Sequence, residues 1–381
     1  MDDMFADLDE PVSSATTPAS PTGPGAKKAP AEDLYAFLAQ HSGPAKRSER
    51  QEVVGGAANA KRQRTEAVSG TPSASEPAGT SRAVRLQCTT HLETAASEDR
   101  GSRAEMEDVQ VQVADARRDK HDSRRVSFFA VLDGHGGRNV AHFASEHLHE
   151  SVLEAGLLTN KDGGAAIDAA KRMKQAVLAG FEATDKKVVQ RCAAERWMDG
   201  ATCVAVWVVE ETVVVANIGD SKCVLARTSD QANSQGQVKA ITLTRDHKAF
   251  HPAERTRIEQ AGGVVAADGR LEGRVEVSRS FGDRQFKQKG MVATPHIQIF
   301  NITDRDQFLL CGCDGFWGVF GPEDAVKMAS KLLGEGRDAK ATCNRLINEA
   351  IRERRCKDNC TVMLIRFLKQ PTDAKGTGES R

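Results

Sequence analysis

Several long apolar runs in the middle of this chain end abruptly on acids and glycines. Phe128-Phe129-Ala130-Val131-Leu132 is long enough for one strand buried on both faces, and it stops at Asp133-Gly134-His135-Gly136-Gly137. There the strand would fix the backbone, a carboxylate would project from its tip, and glycines would let main-chain atoms approach a ligand or ion. A strand leaving the core through a plain polar turn explains this segment alone equally well. The device returns at Phe308-Leu309-Leu310-Cys311-Gly312-Cys313, which stops at Asp314-Gly315. Ala201 to Val209, Thr212 to Ala216 and Lys222 to Arg227 read as strands joined by tight turns, hence antiparallel. Cys360 to Phe367 is a last strand behind Asp358-Asn359, and Val109, Val111 and Val113 alternate with polar residues behind Glu107-Asp108.

Between these strands the period changes. Val140, Phe143, Ala144, His147 and Leu148 keep helical spacing, as do Met173, Val177 and Phe181. Pro322-Glu323-Asp324 opens another helix with proline and acids where they belong, and Cys343, Leu346, Ile347, Ala350 and Ile351 mark one more. His142, His147 and His149 read as ordinary helix residues. Residues 246 to about 290 are polar and rich in arginine and glycine, which predicts a helix followed by a loop-rich excursion.

Residues 1–80 are rich in Ala, Ser, Thr, Pro and Gly without a sustained period, and are expected to be a disordered, low-complexity tail. Met4-Phe5 with Leu8, and Leu34 with Phe37 and Leu38, are candidates for folding onto a partner. Lys61-Arg62-Gln63-Arg64 has the form that an import receptor reads. One folded domain over residues 84–368 and a loose polar tail over 369–381 complete the expected organisation.

Composition narrows the partners. Of 381 residues, 39% are hydrophobic, enough for a sizeable core, and 53 basic residues balance 53 acidic ones. No global field favours nucleic acid or an anionic membrane, and aromatic residues are only 5%, too few for a base-stacking groove. The longest apolar run, Cys203 to Val209, is far too short to cross a bilayer. Nine cysteines, mostly inside apolar runs, point to a reducing intracellular compartment, cytoplasmic or nuclear. Their spacing at Cys311 with Cys313, and Cys356 with Cys360, is poor for zinc.

Glu107, Asp133, Asp199, Asp314 and Asp358 each stand where a predicted strand begins or ends. Gathered at one edge, such carboxylates repel one another unless protons or cations compensate. Hard cations, magnesium or manganese, suit oxygen ligands, and two of them would turn a shared water into a nucleophile for phosphoester hydrolysis. Arg103, four residues before Glu107, has the fork to grip a phosphate, although a surface arginine is the plain alternative. His135 is placed to protonate a leaving oxygen, or is simply a turn histidine. No glycine-rich loop with lysine and serine or threonine supports a nucleoside-triphosphate cradle.

Arg103-Ala104-Glu105-Met106-Glu107-Asp108, Asp133-Gly134-His135-Gly136-Gly137, Asp199-Gly200-Ala201-Thr202, Asn217-Ile218-Gly219-Asp220-Ser221, Asp246-His247-Lys248, Ser278-Arg279-Ser280-Phe281-Gly282-Asp283, Cys313-Asp314-Gly315 and Asp358-Asn359 occur in one order. Together they resemble the metal-dependent type 2C protein serine/threonine phosphatases over about residues 84–368. The resemblance implies an α+β fold, a four-layer α/β/β/α sandwich of two antiparallel sheets flanked by helices. It implies that Asp133 bridges two ions, that the Gly134 carbonyl, Asp314 and Asp358 serve one, and that Glu107 serves the other. Asp108 would hold metal-associated water, Arg103 the substrate phosphate, and His135 would be the general acid. Residues 246–290 would be a flap that shapes substrate choice. Asp199 and Asp314 would share a third ion with a carboxylate that many relatives carry where this chain has Gly318, so that ion is expected to bind poorly here. The expected function is release of phosphate from phosphoserine and phosphothreonine, by a monomer acting on phosphorylated proteins. The competing expectation, from Gly318 alone, is a catalytically weak phosphatase-like binding module. A metal-dependent nuclease or small-phosphoester hydrolase is a third.

Overall fold

The computed structural model describes residues 90–117, 124–158, 166–229 and 237–369. The chain divides into residues 1–81 and 82–381, and only the second unit contains described residues. The readings at Met4-Phe5, Leu34 to Leu38, Lys61 to Arg64 and the 370–381 tail therefore lie outside them.

In chain order the first strands are β1 (Thr90–Asp99), β2 (Val109–Val113), β3 (Val126–Leu132) and the short β4 (Gly134–His135). Helices α1 (Asn139–Glu154) and α2 (Ala166–Glu195) follow. Next come β5 (Gly200–Ala201), β6 (Cys203–Val209), β7 (Thr212–Ile218), β8 (Lys222–Thr228), β9 (Val238–Thr242) and α3 (Pro252–Gln260). The last section holds β10 (Phe281–Gly282), β11 (His296–Asn301), β12 (Asp306–Gly312), α4 (Asp314–Trp317), α5 (Pro322–Gly334), α6 (Ala339–Asn348) and β13 (Cys360–Lys369).

The strands form two antiparallel five-stranded sheets, ordered β1-β13-β12-β8-β9 and β11-β7-β6-β3-β2, and a small ladder β10-β5-β4. β3 shows why its run is unbroken, since a two-residue repeat sends alternate side chains to opposite faces. Phe129 and Val131 face the other sheet, packing in one cluster with Leu309, Leu310, Leu364 and Ile365. Phe128, Ala130 and Leu132 pack with Val140, Leu148, Val177 and Phe181 of α1 and α2. On the far side, Val326, Ala329, Cys343, Leu346 and Ile347 of α5 and α6 cover the first sheet. The result is the expected α+β sandwich of four layers.

The excursion at 246–290 has a small core of its own, with Ile258, Val265, Leu271, Val277, Phe286 and Met291. Glu254 of α3 ties it together, accepting hydrogen bonds from Ser278 Oγ (2.5 Å), Arg257 Nη2 (2.7 Å) and Arg279 Nη2 (2.6 Å). Burial opposes ionisation of Glu254, but Arg279, Ser278 and Arg257 outweigh it and hold the carboxyl well below its usual range. Glu254→Gln is therefore expected to cost about 3 kcal/mol near neutral pH, because it leaves two half-buried arginines without their counter-charge. A carboxylate with a depressed folded pKa lends stability above its unfolded pKa of about 4.3, and loses it as pH falls toward the folded value. The gap between wild type and variant should narrow in acid. Denaturant unfolding at about pH 7 and about pH 3.5 checks this, and an equal gap at both would contradict it.

Candidate active site

Strand register brings the acids together. Val109 pairs with Leu132, so Glu107 and Asp108 just before β2 stand beside Asp133 just after β3. Gly312 pairs with both Val362 and Lys222, which gathers Asp314, Asp358 and Asp220 at the same end of the other sheet. Two side chains pin these tips across the sandwich. Thr361 Oγ1 donates to Asp108 Oδ2 at 2.6 Å. Asn359 Oδ1 accepts from the Glu107 amide at 2.7 Å while its Nδ2 donates to the carbonyls of Arg100 (3.0 Å) and Glu105 (2.9 Å).

One cleft of about 710 Å³ is lined by Arg103, Glu107, Asp133, Gly134, His135, Asp314 and Asp358. Gly134 must be glycine, since an ideal Cβ there would lie 2.6 Å from the Glu107 carbonyl oxygen. Asp108 sits behind the cleft wall, fully buried, with Oδ1 lacking a hydrogen-bond partner among the described residues. Its Oδ atoms, those of Asp133 and Cys313 Sγ offer ligand atoms within 4.8 Å of one another.

Burial, with mutual repulsion added to it, sets the charge state of the site. Burial, reinforced by the charges of Asp108, Asp314 and Asp220, raises Asp133 well above the usual carboxylate range. Desolvation in the cleft, together with Asp220 and Asp358, pushes Asp314 up to about 6 despite its solvent-facing edge. Burial likewise raises Asp108 to about 6. An orphaned buried oxygen and carboxylates this costly to ionise fit hard divalent cations. The nearby Cys313 does not make it a thiolate site. Burial pushes that thiol up, and Sγ is engaged with the Asn359 carbonyl (3.3 Å) and the Thr361 amide (3.1 Å).

Two bases of the cleft are already paired. Arg103 Nη2 lies 2.7 Å from Asp358 Oδ2. His135 Nε2 lies 2.7 Å from Asp283 Oδ2, which also accepts from Ser280 Oγ at 2.6 Å. The ladder β4-β5-β10 makes this pair by setting His135 opposite Gly200 and Gly282 beside it. Burial works against protonating His135, but Asp283 more than offsets it and the imidazole pKa lies above its usual value. Lys248 donates to Asp220, and to Glu276 at 2.7 Å, placing an ammonium beside the acids.

Asp199 stands apart from these acids: it is 2% exposed, is not among the residues lining the cleft, and its Oδ2 accepts from the Val140 amide at 2.9 Å in the first turn of α1. A DG pair before a strand looks the same in sequence whether its acid faces a cleft or a helix end. Asp283, Asp220, Asn359 and Thr361 are the converse. Asp283, Asp220 and Asn359 lie in quoted motifs and Thr361 in the last strand, but their tasks depend on partners 28 to 253 positions away, which no local spacing records. Gly318, at the end of α4, brings no carboxylate to the neighbourhood of Asp314.

The family model described as Protein phosphatase 2C matches residues 92–360. The chain is 48% identical over 284 residues to the Probable protein phosphatase 2C 8 of Arabidopsis thaliana, covering 73% of this chain and 79% of that protein. It is 36% identical over 289 residues to the Integrin-linked kinase-associated serine/threonine phosphatase 2C of Bos taurus, covering 71% and 75%. Among solved structures, a serine-threonine phosphatase 2C from Toxoplasma gondii superposes with a TM-score of 0.63 at 22% identity, over 73% of this chain and 95% of that one, a likeness of fold.

Proposed function

Because this chain belongs to the protein phosphatase 2C family, and is thus a metal-dependent protein serine/threonine phosphatase acting on phosphoproteins, we propose that it works with two hard cations, magnesium or manganese. The observation that carries this is the convergence of Glu107, Asp133, Asp314 and Asp358 from both sheets on one cleft. Asp133 lies between the two groups and would serve both ions, with the Gly134 carbonyl, Asp314 and Asp358 on one side and Glu107 on the other. Asp108, through its free Oδ1, would orient water from behind. When bound, the cations supply positive charge for the phosphoryl oxygens and an acidified water for attack on phosphorus. With Gly318 in place of a carboxylate, a third ion is left without a strong site.

The chain's own groups do the rest. Arg103 is paired with Asp358; were that carboxylate engaged by a cation, the guanidinium fork would be available for two phosphate oxygens. His135, kept protonated and oriented by Asp283, gives its proton to the departing seryl or threonyl oxygen. No side chain needs to become phosphorylated. His135→Ala is expected to lower turnover of a phosphopeptide about 100-fold and that of p-nitrophenyl phosphate several-fold less, since nitrophenolate leaves without a proton. Equal losses on both substrates would remove His135 from the proton-transfer role.

The segment Lys61 to Arg64 supports nuclear as well as cytoplasmic residence. Replacing its basic residues by alanine should shift a fluorescent fusion toward the cytoplasm, and an unchanged distribution would count against it. Among the described residues, no helix is long and apolar enough to cross a membrane.

A further inference from the structure

Part of the cleft wall is built by the excursion after α3, where Arg270, Arg274, Val275, Glu276 and Phe286 line the opening, the Glu276 carboxylate being paired with Lys248 at 2.7 Å. The two arginines differ. Arg270 is partly neutralised, with Nη2 3.5 Å from Glu276 and Nε 3.9 Å from Asp268. Arg274 is exposed, and among the described residues no carboxylate stands within 4.0 Å of it. Its guanidinium lies 5.6 Å from the centroid of the Phe286 ring. The turn that carries it is fixed, because Leu271 is fully buried and the Arg274 amide donates to the Leu271 carbonyl at 3.0 Å. A cation held over an aromatic face from a fixed turn, with no carboxylate partner among the described residues, loses little freedom when it pairs with an anion.

The cleft's volume is that of a site for a drug-sized ligand, larger than one phosphorylated side chain needs. The residues flanking the phosphorylated position must therefore run along this wall. We propose that Arg274 is a specificity-determining residue that reads an anionic group on the substrate, a carboxylate or a second phosphate, a few residues from the phosphoserine or phosphothreonine. This rests on the phosphatase reading above. The anion belongs at Arg274 because the neighbouring Glu276 is already neutralised by Lys248 and Arg270, whereas Glu107, Asp133, Asp314 and Asp358 elsewhere in the cleft would repel it wherever cations do not screen them. A bidentate guanidinium pair at this rim contributes discrimination through binding, so its effect falls on KM more than on kcat.

The test uses the full chain, loaded with manganese, and phosphopeptides identical except that one flanking position at a time, up to three residues on either side, is alanine, glutamate, phosphoserine or lysine. For wild type, Arg274→Ala, Arg274→Lys and Arg274→Glu, kcat/KM on each peptide is divided by the same protein's kcat/KM for p-nitrophenyl phosphate, which cancels general damage. Wild type should favour glutamate or phosphoserine over alanine by about three- to tenfold at one or more positions, mainly in KM. Arg274→Ala should abolish the preference, Arg274→Lys should keep part of it, and Arg274→Glu should transfer it to lysine. A gain with phosphoserine alone identifies a doubly phosphorylated segment, a gain with both an acidic one, and either upholds the proposal. Indifference of wild type to the flank, or a preference that survives in Arg274→Glu, overturns it while leaving the phosphatase reading intact. Absence of turnover on every substrate overturns that reading, and this proposal with it.

Discussion

Asp133→Ala is expected to lower phosphopeptide turnover by about three orders of magnitude or more while leaving the fold intact. The reason lies in the position of Asp133 at the meeting point of the two acid groups. Its half-buried carboxylate lies among Asp108, Asp314 and Asp220, and desolvation together with their charges raises its pKa. Without cations such a group strains the protein more than it helps. Removing it should therefore leave thermal stability in chelator unchanged or about 1 kcal/mol higher, at the cost of manganese binding. Phosphate release, manganese titration calorimetry and thermal unfolding in chelator check the three parts. A variant that keeps a tenth of wild-type turnover, with full manganese stoichiometry, would deny Asp133 the bridging role.

Gly315→Ala has the second largest expected effect, and it acts through the backbone. An ideal Cβ at Gly315 would fall inside van der Waals contact of the Asn359 carbonyl oxygen, with the Asp358 Cβ only 3.2 Å away. No side-chain rotation relieves a clash with main chain, so the tips of β12 and β13 must part. Those tips carry Asp314 and Asp358, while Asn359 pins the loop that holds Glu107. The substitution is expected to cost about 3 kcal/mol and to reduce turnover at least about 100-fold even where the protein remains folded. Equilibrium unfolding and phosphopeptide kinetics below the new melting point check it. Wild-type kinetics in a folded variant would show that the two tips tolerate separation.

Much of this architecture was legible because burial on both faces leaves a plain record. The runs of β3, β6 and β12 are continuous and apolar, and the acids and glycines that end β3 and β12 mark the site. β1 left almost no record. Thr90–Asp99 is largely small and polar, because it pairs only with β13 and buries little more than Ala95 and Ala96. β11 was readable in principle, since Ile297 and Ile299 alternate with polar residues and pack toward the helices. Glu107, Asp133, Asp314 and Asp358 stood out by position alone, at predicted strand ends, and all four line the cleft. What could not be read was the choice among equal local signals, as between Asp199, which caps α1, and Asp283, which orients His135. That choice is made by strand register and by close packing against Gly200 and Gly282, which is tertiary information.

The most direct test of the central claim, that acids from both sheets gather to hold a pair of hard cations, is anomalous X-ray scattering from crystals soaked in manganese. Two strong peaks are predicted in the cleft, adjacent to Asp133, with Glu107 beside one and Asp314 and Asp358 beside the other, and no third peak of comparable occupancy near Gly318. Manganese absent from this cleft, or bound only elsewhere on the surface, would contradict the account.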